Sequence, residues 1–338
     1  MEVRKQNGLN IFIDKKYELI LAIYAVYLKN NPSMREQLDW IEVPPVAYMD
    51  ELETIINSKE HNEILDILIG FEDCGTPINI AVGLDDNYNV DDKKLNRELI
   101  DRWFSYEELQ RLSYLLKKYA DSIGWDEFFY KHKIFYISLV DRFSSFPENL
   151  DLTDINSFYK IVPNSYRYMP SILMNGGFSA SDVQGNYYYI RGFEFDLESK
   201  DFYYDVSYLS ECLFHEFSHP NINPLVDKYY KLFTNIDLIY KDAIMHGLSK
   251  IYSANKRSVL YEYFVRANAF VLNQRYYPDI KVEDDEWILT HGFRFLPQLV
   301  EFITLNMSNY SSYEEFFKAE LIDYMNNILK KDLIKKEF

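Results

Sequence analysis

The chain has 338 residues, of which 48% are hydrophobic and 26% charged, a composition typical of a globular protein that excludes an intrinsically disordered chain. Its formal net charge of −17 comes from 36 Lys and Arg against 53 Asp and Glu. That charge argues against a nucleic-acid partner, because phosphate binding needs a basic surface. The sequence contains no apolar run long enough to span a bilayer, so we expect no membrane partner.

The N-terminal residues carry no apolar core of the kind that a signal peptide needs. The two cysteines, Cys74 and Cys212, are too few and too far apart to form a disulfide framework. Both features fit a reducing compartment, and we expect a cytoplasmic protein. A secreted protein whose leader had been cleaved would show the same features.

Residues 1–160 are predicted to form a mainly helical N-terminal lobe. Residues 9–13 alternate in the manner of a short strand, and residues 15–29 carry apolar side chains at helical spacing. Ser105 opens a further helix, because Glu108 three residues later completes a capping box. We find no catalytic pattern in this half of the sequence.

The pattern changes near residue 161, where extended segments appear. Tyr166–Asn175 and Tyr187–Phe195 read as two strands, with a turn at Asn175-Gly176-Gly177. They begin a second region, residues 161–338, which carries the motifs described below. The sequence leaves open whether this region and the N-terminal lobe form one continuous compact domain.

The most specific motif is HExxH at residues 215–219. Residues four apart on a helix lie one turn above each other, so His215 and His219 can hold one metal ion. Glu216 points to the side, where it can accept a proton from water without being a ligand itself. Pro220 disfavours helix at His219, so we predict that the helix ends there and that Asn221-Ile222-Asn223-Pro224 forms a turn.

A third ligand is needed, because catalytic zinc usually takes three protein ligands and leaves one position for water. The extended HExxHxxGxxH pattern fails, since Ile222 and Leu225 stand where it needs Gly and His. The segment from Leu260 through Val271 is apolar almost all round and should be a buried helix. Glu262 and Arg266 share its least apolar side. A buried carboxylate is costly unless it is paired or bound to metal, which makes Glu262 the best candidate ligand.

Several alternatives to this ligand set stay open at the level of the sequence. Glu262 and Arg266 can form a buried ion pair without any metal. Other candidates for the third ligand are Asp227, His246 and His291, although the surroundings of each also fit an ordinary surface, helix-end or loop position.

The run FHEFSHPNINPLVDKY, followed by YEYFVRA, resembles a bacterial family of uncharacterised zincin-like metallopeptidases known mainly as a domain of unknown function. The resemblance implies that His215, His219 and Glu262 are the zinc ligands and that Glu216 is the general base. It also implies that a sheet edge upstream of the motif pairs with an extended peptide substrate, although the sequence fits equally well two strands that are interior and fully paired. One departure is Arg266, which stands where better-known members of the wider group have an Asp that supports a ligand histidine.

Together these patterns predict an α+β, helix-rich, zincin-like fold with a small β-sheet before the HExxH helix. The predicted activity is a zinc-dependent metallopeptidase that acts on a peptide or protein substrate, with Glu216 as general base. The oxyanion of the reaction needs a donor, for which Arg266, Tyr261, Tyr263 and His291 are candidates. The rival predictions are a non-catalytic zinc-containing binding protein and a zinc hydrolase of a non-peptide amide or ester.

Overall fold

The computed structural model contains two compact units, which interleave along the chain. The first comprises Met1–Glu148 and Pro163–Val206, and the second comprises Asn149–Val162 and Ser207–Phe338. The strands after residue 162 therefore group with the N-terminal residues, whereas the sequence suggested regions 1–160 and 161–338. The functional division into a lobe and a catalytic region stays a prediction. The structure describes residues 2–6, 8–56, 62–69, 75–97, 105–142, 150–196, 198–199, 201–203, 206–248, 255–282, 285, 288 and 290–328.

A five-stranded mixed sheet and a two-stranded hairpin belong to the first unit. The strands are β1 (Glu2–Gln6), β2 (Leu9–Phe12), β3 (Ser165–Ser171), β4 (Gly177–Ser181), β5 (Asn186–Gly192), β6 (Glu194–Asp196) and β7 (Asp201–Tyr203). The order in the sheet is β1-β2-β3-β5-β4, with β2, β3 and β5 parallel and both outer strands antiparallel to their neighbours. Strands β6 and β7 pair with each other. The protein is thus α+β, as predicted.

The two strands predicted before the HExxH motif are present as β3 and β5, and both are interior strands of the sheet. Each is hydrogen-bonded on both sides, β3 to β2 and β5, and β5 to β3 and β4. In the described sheet the edges are β1 and β4. Of the two interpretations that the sequence left open for these strands, an exposed edge that pairs with a peptide or an interior position, the structure shows the interior position.

Between β2 and β3 the first unit contains a series of helices. They are α1 (Lys15–Asn30), α2 (Ala47–Ile56), α3 (Asn62–Leu68), α4 (Gly75–Val82), α5 (Tyr106–Ser122), α6 (Trp125–Lys131) and α7 (Lys133–Arg142). The Asp14 side chain caps α1 by accepting from the backbone of Lys16 and Tyr17. The predicted capping box at the start of α5 is confirmed, with Ser105 and Glu108 each bonded to the other's backbone N–H.

The second unit is helical in its described part. Its helices are α8 (Thr153–Tyr159), α9 (Val206–Tyr229), α10 (Ile236–Met245), α11 (Lys256–Asn273), α12 (Leu296–Asn306) and α13 (Tyr313–Phe316), which continues into a π-helical turn at Phe317–Leu321. Helix α11 is the central element, since α8, α10 and α12 all pack against it. Twelve of its 18 residues are buried, including Glu262, as the apolar pattern predicted.

Helix α9 carries the HExxH motif and continues past His219, where the sequence predicts its end. Both Pro220 and Pro224 lie inside the helix, so the prediction that it ends at His219 and is followed by a turn is wrong. The reason is packing: Ser218, Ile222 and Val226 lie four apart and are fully buried, so a continued helix keeps one buried stripe. Burial of this stripe outweighs the local preference of the residue before a proline.

Among the described residues, no helix combines the length and the apolar character that crossing a bilayer would require.

Candidate metal centre

The two histidines of the motif lie on one face of α9 and meet at their ring tips. Their Nε2 atoms are 3.2 Å apart, and the ring planes are nearly perpendicular at 81°. This arrangement follows from the four-residue spacing, which places one ring a turn above the other. His215 and His219 thus present two nitrogen donors toward the same point.

Glu262 reaches the same point from α11. Its Oε1 is 3.6 Å from Nε2 of His219, and its Oε2 is 3.7 Å from Nε2 of His215. Glu262 is only 8% exposed, and its Oε2 accepts no hydrogen bond in the described part of the chain. A buried carboxylate oxygen in this condition still has lone-pair capacity to satisfy.

Arg266 lies one turn after Glu262 on α11 and forms an ion pair with it. Its Nη2 is 2.9 Å from Oε2 of Glu262, a close contact that lacks the angles of a hydrogen bond. The guanidinium also lies over the Phe293 ring, 5.1 Å from the ring centre. This packing holds the cation at the Oε2 side of the carboxylate, so Oε1 remains the oxygen next to His219.

The donor atoms have the spacing that a small metal ion requires. Four ligands at about 2.1 Å in a tetrahedron are about 3.4 Å from one another. The two Nε2 atoms, 3.2 Å apart, fit this geometry, and Glu262 comes near it with two different oxygens, Oε1 at 3.6 Å from His219 and Oε2 at 3.7 Å from His215. Donors of His215, Glu216 and His219 also lie within 4.8 Å of one another. The two imidazoles and the carboxylate of Glu262 are the better ligand set, because Glu262 approaches both histidines.

Glu216 lies beside these three side chains, but its carboxylate is farther from the histidine nitrogens than that of Glu262. One oxygen is 4.0 Å from Nε2 of His215, and the residue is 8% exposed. Its position in the chain, next to a ligand candidate on the helix, turns its carboxylate to the side of the cluster. A carboxylate there can exchange a proton with a water at the cluster.

The electrostatics of the cluster favour the neutral form of His215, which is the form that binds a metal. Burial, then the charge of Arg266 and then His219, hold the pKa of His215 well below the ordinary value for histidine. The imidazole of His215 is therefore neutral at neutral pH, and only a neutral imidazole can bind a metal.

A second acid, Glu211, lies on α9 one turn before His215. Burial and then the charge of Asp285 raise its pKa to about 7, while Arg266 acts in the opposite direction. Its carboxyl is therefore partly protonated at neutral pH. A functional role of Glu211 could not be predicted from the sequence. The residue belongs to no motif, and its pKa depends on neighbours that only the fold brings near.

The alternative third ligands have other partners. Asp227 accepts hydrogen bonds from Arg257 at 3.0 Å and Tyr261 at 2.6 Å. His246 contacts the backbone oxygen of Asp242 through Nδ1 at 2.8 Å. Nδ1 of His291 is 3.2 Å from the hydroxyl of Thr290. None of the three belongs to the metal-ligand cluster among the described residues.

The proposed oxyanion donors are also engaged with protein groups. The hydroxyl of Tyr261 donates to Asp227, and that of Tyr263 donates to the backbone oxygen of Gly292 at 3.0 Å. Arg266 is paired with Glu262. The roles of Arg266 and His291 in catalysis stay predictions.

Asn223 is a residue of the site that the sequence interpretation missed. Its Oδ1 is 3.2 Å from Nδ1 of His219, on the side of the ring that faces away from the cluster. The sequence predicts a turn at this residue, whereas the continued helix places it about one turn after His219. The spacing of four residues between His219 and Asn223 would have indicated this contact, provided that the helix was predicted to continue past Pro220.

Fold and site together define an α+β protein with a His-Glu-His cluster that can hold a metal ion. The chain belongs to the family described as Domain of unknown function (DUF4932), whose family model matches residues 62–324. The matched segment includes the cluster and α11. Neither the curated proteins nor the solved structures gave a match to this chain.

Proposed function

We propose that the protein is a zinc-dependent metallopeptidase in which His215, His219 and Glu262 hold the metal. The observation that carries the proposal is the convergence of these three side chains from α9 and α11, with donor separations of 3.2 to 3.7 Å. The neutral state of His215 supports it, because only a neutral imidazole can bind a metal.

Zinc bound there would act as a Lewis acid on a peptide carbonyl and would lower the pKa of water to about 7. Glu216 is the general base of the proposal: it takes the proton from the attacking water and passes it to the leaving amine. Arg266 holds the carboxylate of Glu262 at the cluster, and its charge offsets one negative charge in a partly buried site.

Glu216 is the residue that argues for catalysis rather than for metal binding alone. It is a buried acid that approaches His215 at 4.0 Å, farther than either contact of Glu262. A structural zinc site is closed by four protein ligands, whereas three ligands and an adjacent base leave a position for water. The non-catalytic zinc protein and the hydrolase of a non-peptide amide or ester remain the rival proposals.

The ion pair between Glu262 and Arg266 favours a second candidate, in which the cluster is structural and binds no metal. At 2.9 Å the pair already compensates part of the charge on the carboxylate. The two candidates differ in one measurable property, the zinc content of the purified protein.

The test compares zinc content and peptide cleavage in the wild type and four variants. We expect about one zinc per wild-type chain, and much less in His219→Ala and Glu262→Ala. Glu216→Gln should retain zinc and lose cleavage of a peptide library. His246→Ala is the matched control, because it removes a histidine of the same unit that is bonded to Asp242 and outside the cluster.

The outcomes separate the candidates. A wild-type protein without zinc after refolding in excess zinc supports the structural ion pair. Full zinc in Glu262→Ala removes Glu262 from the ligand set. Zinc together with hydrolysis of esters or non-peptide amides, but of no peptide, moves the substrate class. Zinc without hydrolysis of any of these compounds supports the binding protein.

A further inference from the structure

The hydrogen bond between Asn223 and His219 defines the state of the imidazole. Oδ1 of Asn223 lies 3.2 Å from Nδ1 of His219. With the carboxamide of Asn223 oriented so that Oδ1 faces the ring, the oxygen accepts the hydrogen bond and Nδ1 carries the proton. The lone pair of a neutral ring is then on Nε2, the atom that lies 3.2 Å from Nε2 of His215 and 3.6 Å from Glu262.

The backbone that supports this contact is unusual. Asn223 follows His219 by four residues, so the two side chains meet only if α9 continues past Pro220. A proline inside a helix removes one backbone hydrogen bond and costs about 3 kcal/mol relative to alanine. Two side chains of the same turns also bond to backbone oxygens: Ser218 donates to the oxygen of Phe214 at 2.6 Å, and Asn221 donates to that of Phe217 at 3.0 Å.

We propose that Asn223 is a positioning residue that holds His219 in its Nδ1–H tautomer, with Nε2 directed at the cluster. The hydrogen bond to this oxygen determines which ring nitrogen carries the proton. It also restricts rotation of the ring about the side-chain bonds of His219. For metal binding the inference rests on the proposed function, because His219 is one of the proposed ligands. The tautomer itself is a property of the metal-free protein.

The first measurement reads the tautomer directly. Metal-free protein labelled with 15N in its histidines is studied by two-bond 1H–15N correlation at a pH where the rings are neutral, and His219 is assigned by its loss in His219→Gln. The wild type should show the Nδ1–H form. Asn223→Leu should shift His219 toward the Nε2–H form that free histidine prefers, and Asn223→Asp, whose carboxylate also only accepts, should restore Nδ1–H.

The second measurement is zinc affinity by competition with a chelator. Asn223→Leu should bind zinc about 10–100-fold more weakly than the wild type, as expected when the partner of a ligand histidine is removed. Asn223→Asp should bind at least as tightly as the wild type. The matched control is Asn221→Leu on the same helix, which loses its bond to Phe217 and should leave both the tautomer and the zinc affinity unchanged.

The results distinguish this inference from the proposed function. An unchanged His219 tautomer in Asn223→Leu would overturn the positioning role, whatever the metal content. If the wild type binds no zinc but the His219 tautomer shifts in Asn223→Leu, the metal site would be overturned and the role of Asn223 supported. A loss of zinc affinity in Asn221→Leu equal to that in Asn223→Leu would assign the effect to helix stability and overturn the specific role of Asn223.

Discussion

Two buried helices of this protein, α1 and α11, each carry one glutamate at a buried position, and the two glutamates have different surroundings. Glu18 of α1 is 1% exposed and Glu262 of α11 is 8% exposed. Both helices are rich in buried apolar residues, so burial alone does not separate the two sites. The difference lies in what the fold places around each carboxylate.

Glu18 has the hydroxyl of Ser171 as its neighbour, and no cation among the described residues contributes to its pKa. Burial raises its pKa to about 8, against the hydrogen bond from Ser171, and the charge of Asp14 adds to the increase. Glu18 is therefore neutral at neutral pH, which removes most of the cost of burying it. Glu262 has Arg266 at 2.9 Å and two imidazoles within 3.7 Å. A buried glutamate in a helical pattern is thus not by itself a sign of a metal site; the converging donors are.

The largest expected effect concerns Glu18 and the pH dependence of stability. Below about pH 4.5 the carboxyl is neutral in the folded and unfolded states and has no effect. As the pH rises toward about 8, the unfolded state releases the proton and the folded state keeps it, so the free energy of unfolding falls by up to about 5 kcal/mol. Glu18→Gln should lack this contribution.

The measurement is urea unfolding of the wild type and Glu18→Gln at about pH 5.5 and about pH 8.5, between which the wild type should lose about 3 kcal/mol more than the variant. Parallel pH dependences in the two proteins would show that Glu18 ionises normally, and the contrast with Glu262 would then disappear.

The next effect concerns the cation that Glu18 lacks. Arg266→Met leaves the carboxylate of Glu262 buried without its ion-pair partner, which should lower the free energy of unfolding of the metal-free protein by about 3–5 kcal/mol. If zinc binds at the cluster as proposed, it would compensate the same carboxylate, so the loss should be smaller in saturating zinc. Chemical unfolding with and without zinc measures both values.

The second unit offers a matched control for this experiment. Arg294 pairs with the buried carboxylate of Asp242 at 2.6 and 2.8 Å and lies over the ring of Phe295, as Arg266 lies over Phe293. Arg294→Met should destabilise the protein by a similar amount, and the zinc-dependent stabilisation should stay that of the wild type. Equal rescue of both variants by zinc would contradict a specific role of zinc at Glu262.

The site could be predicted from the sequence where it depends on spacing within one helix. The convergence of His215 and His219, and the ion pair of Glu262 with Arg266, both follow from a four-residue repeat. The meeting of Glu262 with the histidines depends on the packing of α9 and α11, and it could be predicted only from the chemistry of buried carboxylates and from the resemblance to a known family. Asn223 could not be found, because the buried stripe of Ile222 and Val226 overrides the rule for residues before proline.

The fold shows the same limit in its sheet. The segments that became β3 and β5 were recognisable from their alternation, but their interior position was not. Strand β3 pairs in parallel with β2, which lies more than 150 residues earlier in the chain, at Leu9↔Tyr166. Such a pairing leaves no local signal in either strand, whereas a turn or a helix cap is set by neighbours in the sequence.

The capping box at the start of α5 provides the smallest effect and the reference for an exposed carboxylate. Ser105 accepts from the backbone of Glu108 at 3.2 Å, and the Glu108 carboxylate accepts from the backbone of Ser105 at 2.8 Å. These backbone and hydroxyl hydrogen bonds lower the pKa of Glu108, the opposite of the shift at Glu18. Ser105→Ala should cost about 1 kcal/mol in urea unfolding, while Ser105→Thr, which keeps the N-cap hydroxyl, should cost much less. A Ser105→Ala variant as stable as the wild type would show that the cap does not stabilise α5, and that the local signal, although correctly recognised, contributes nothing measurable to the fold.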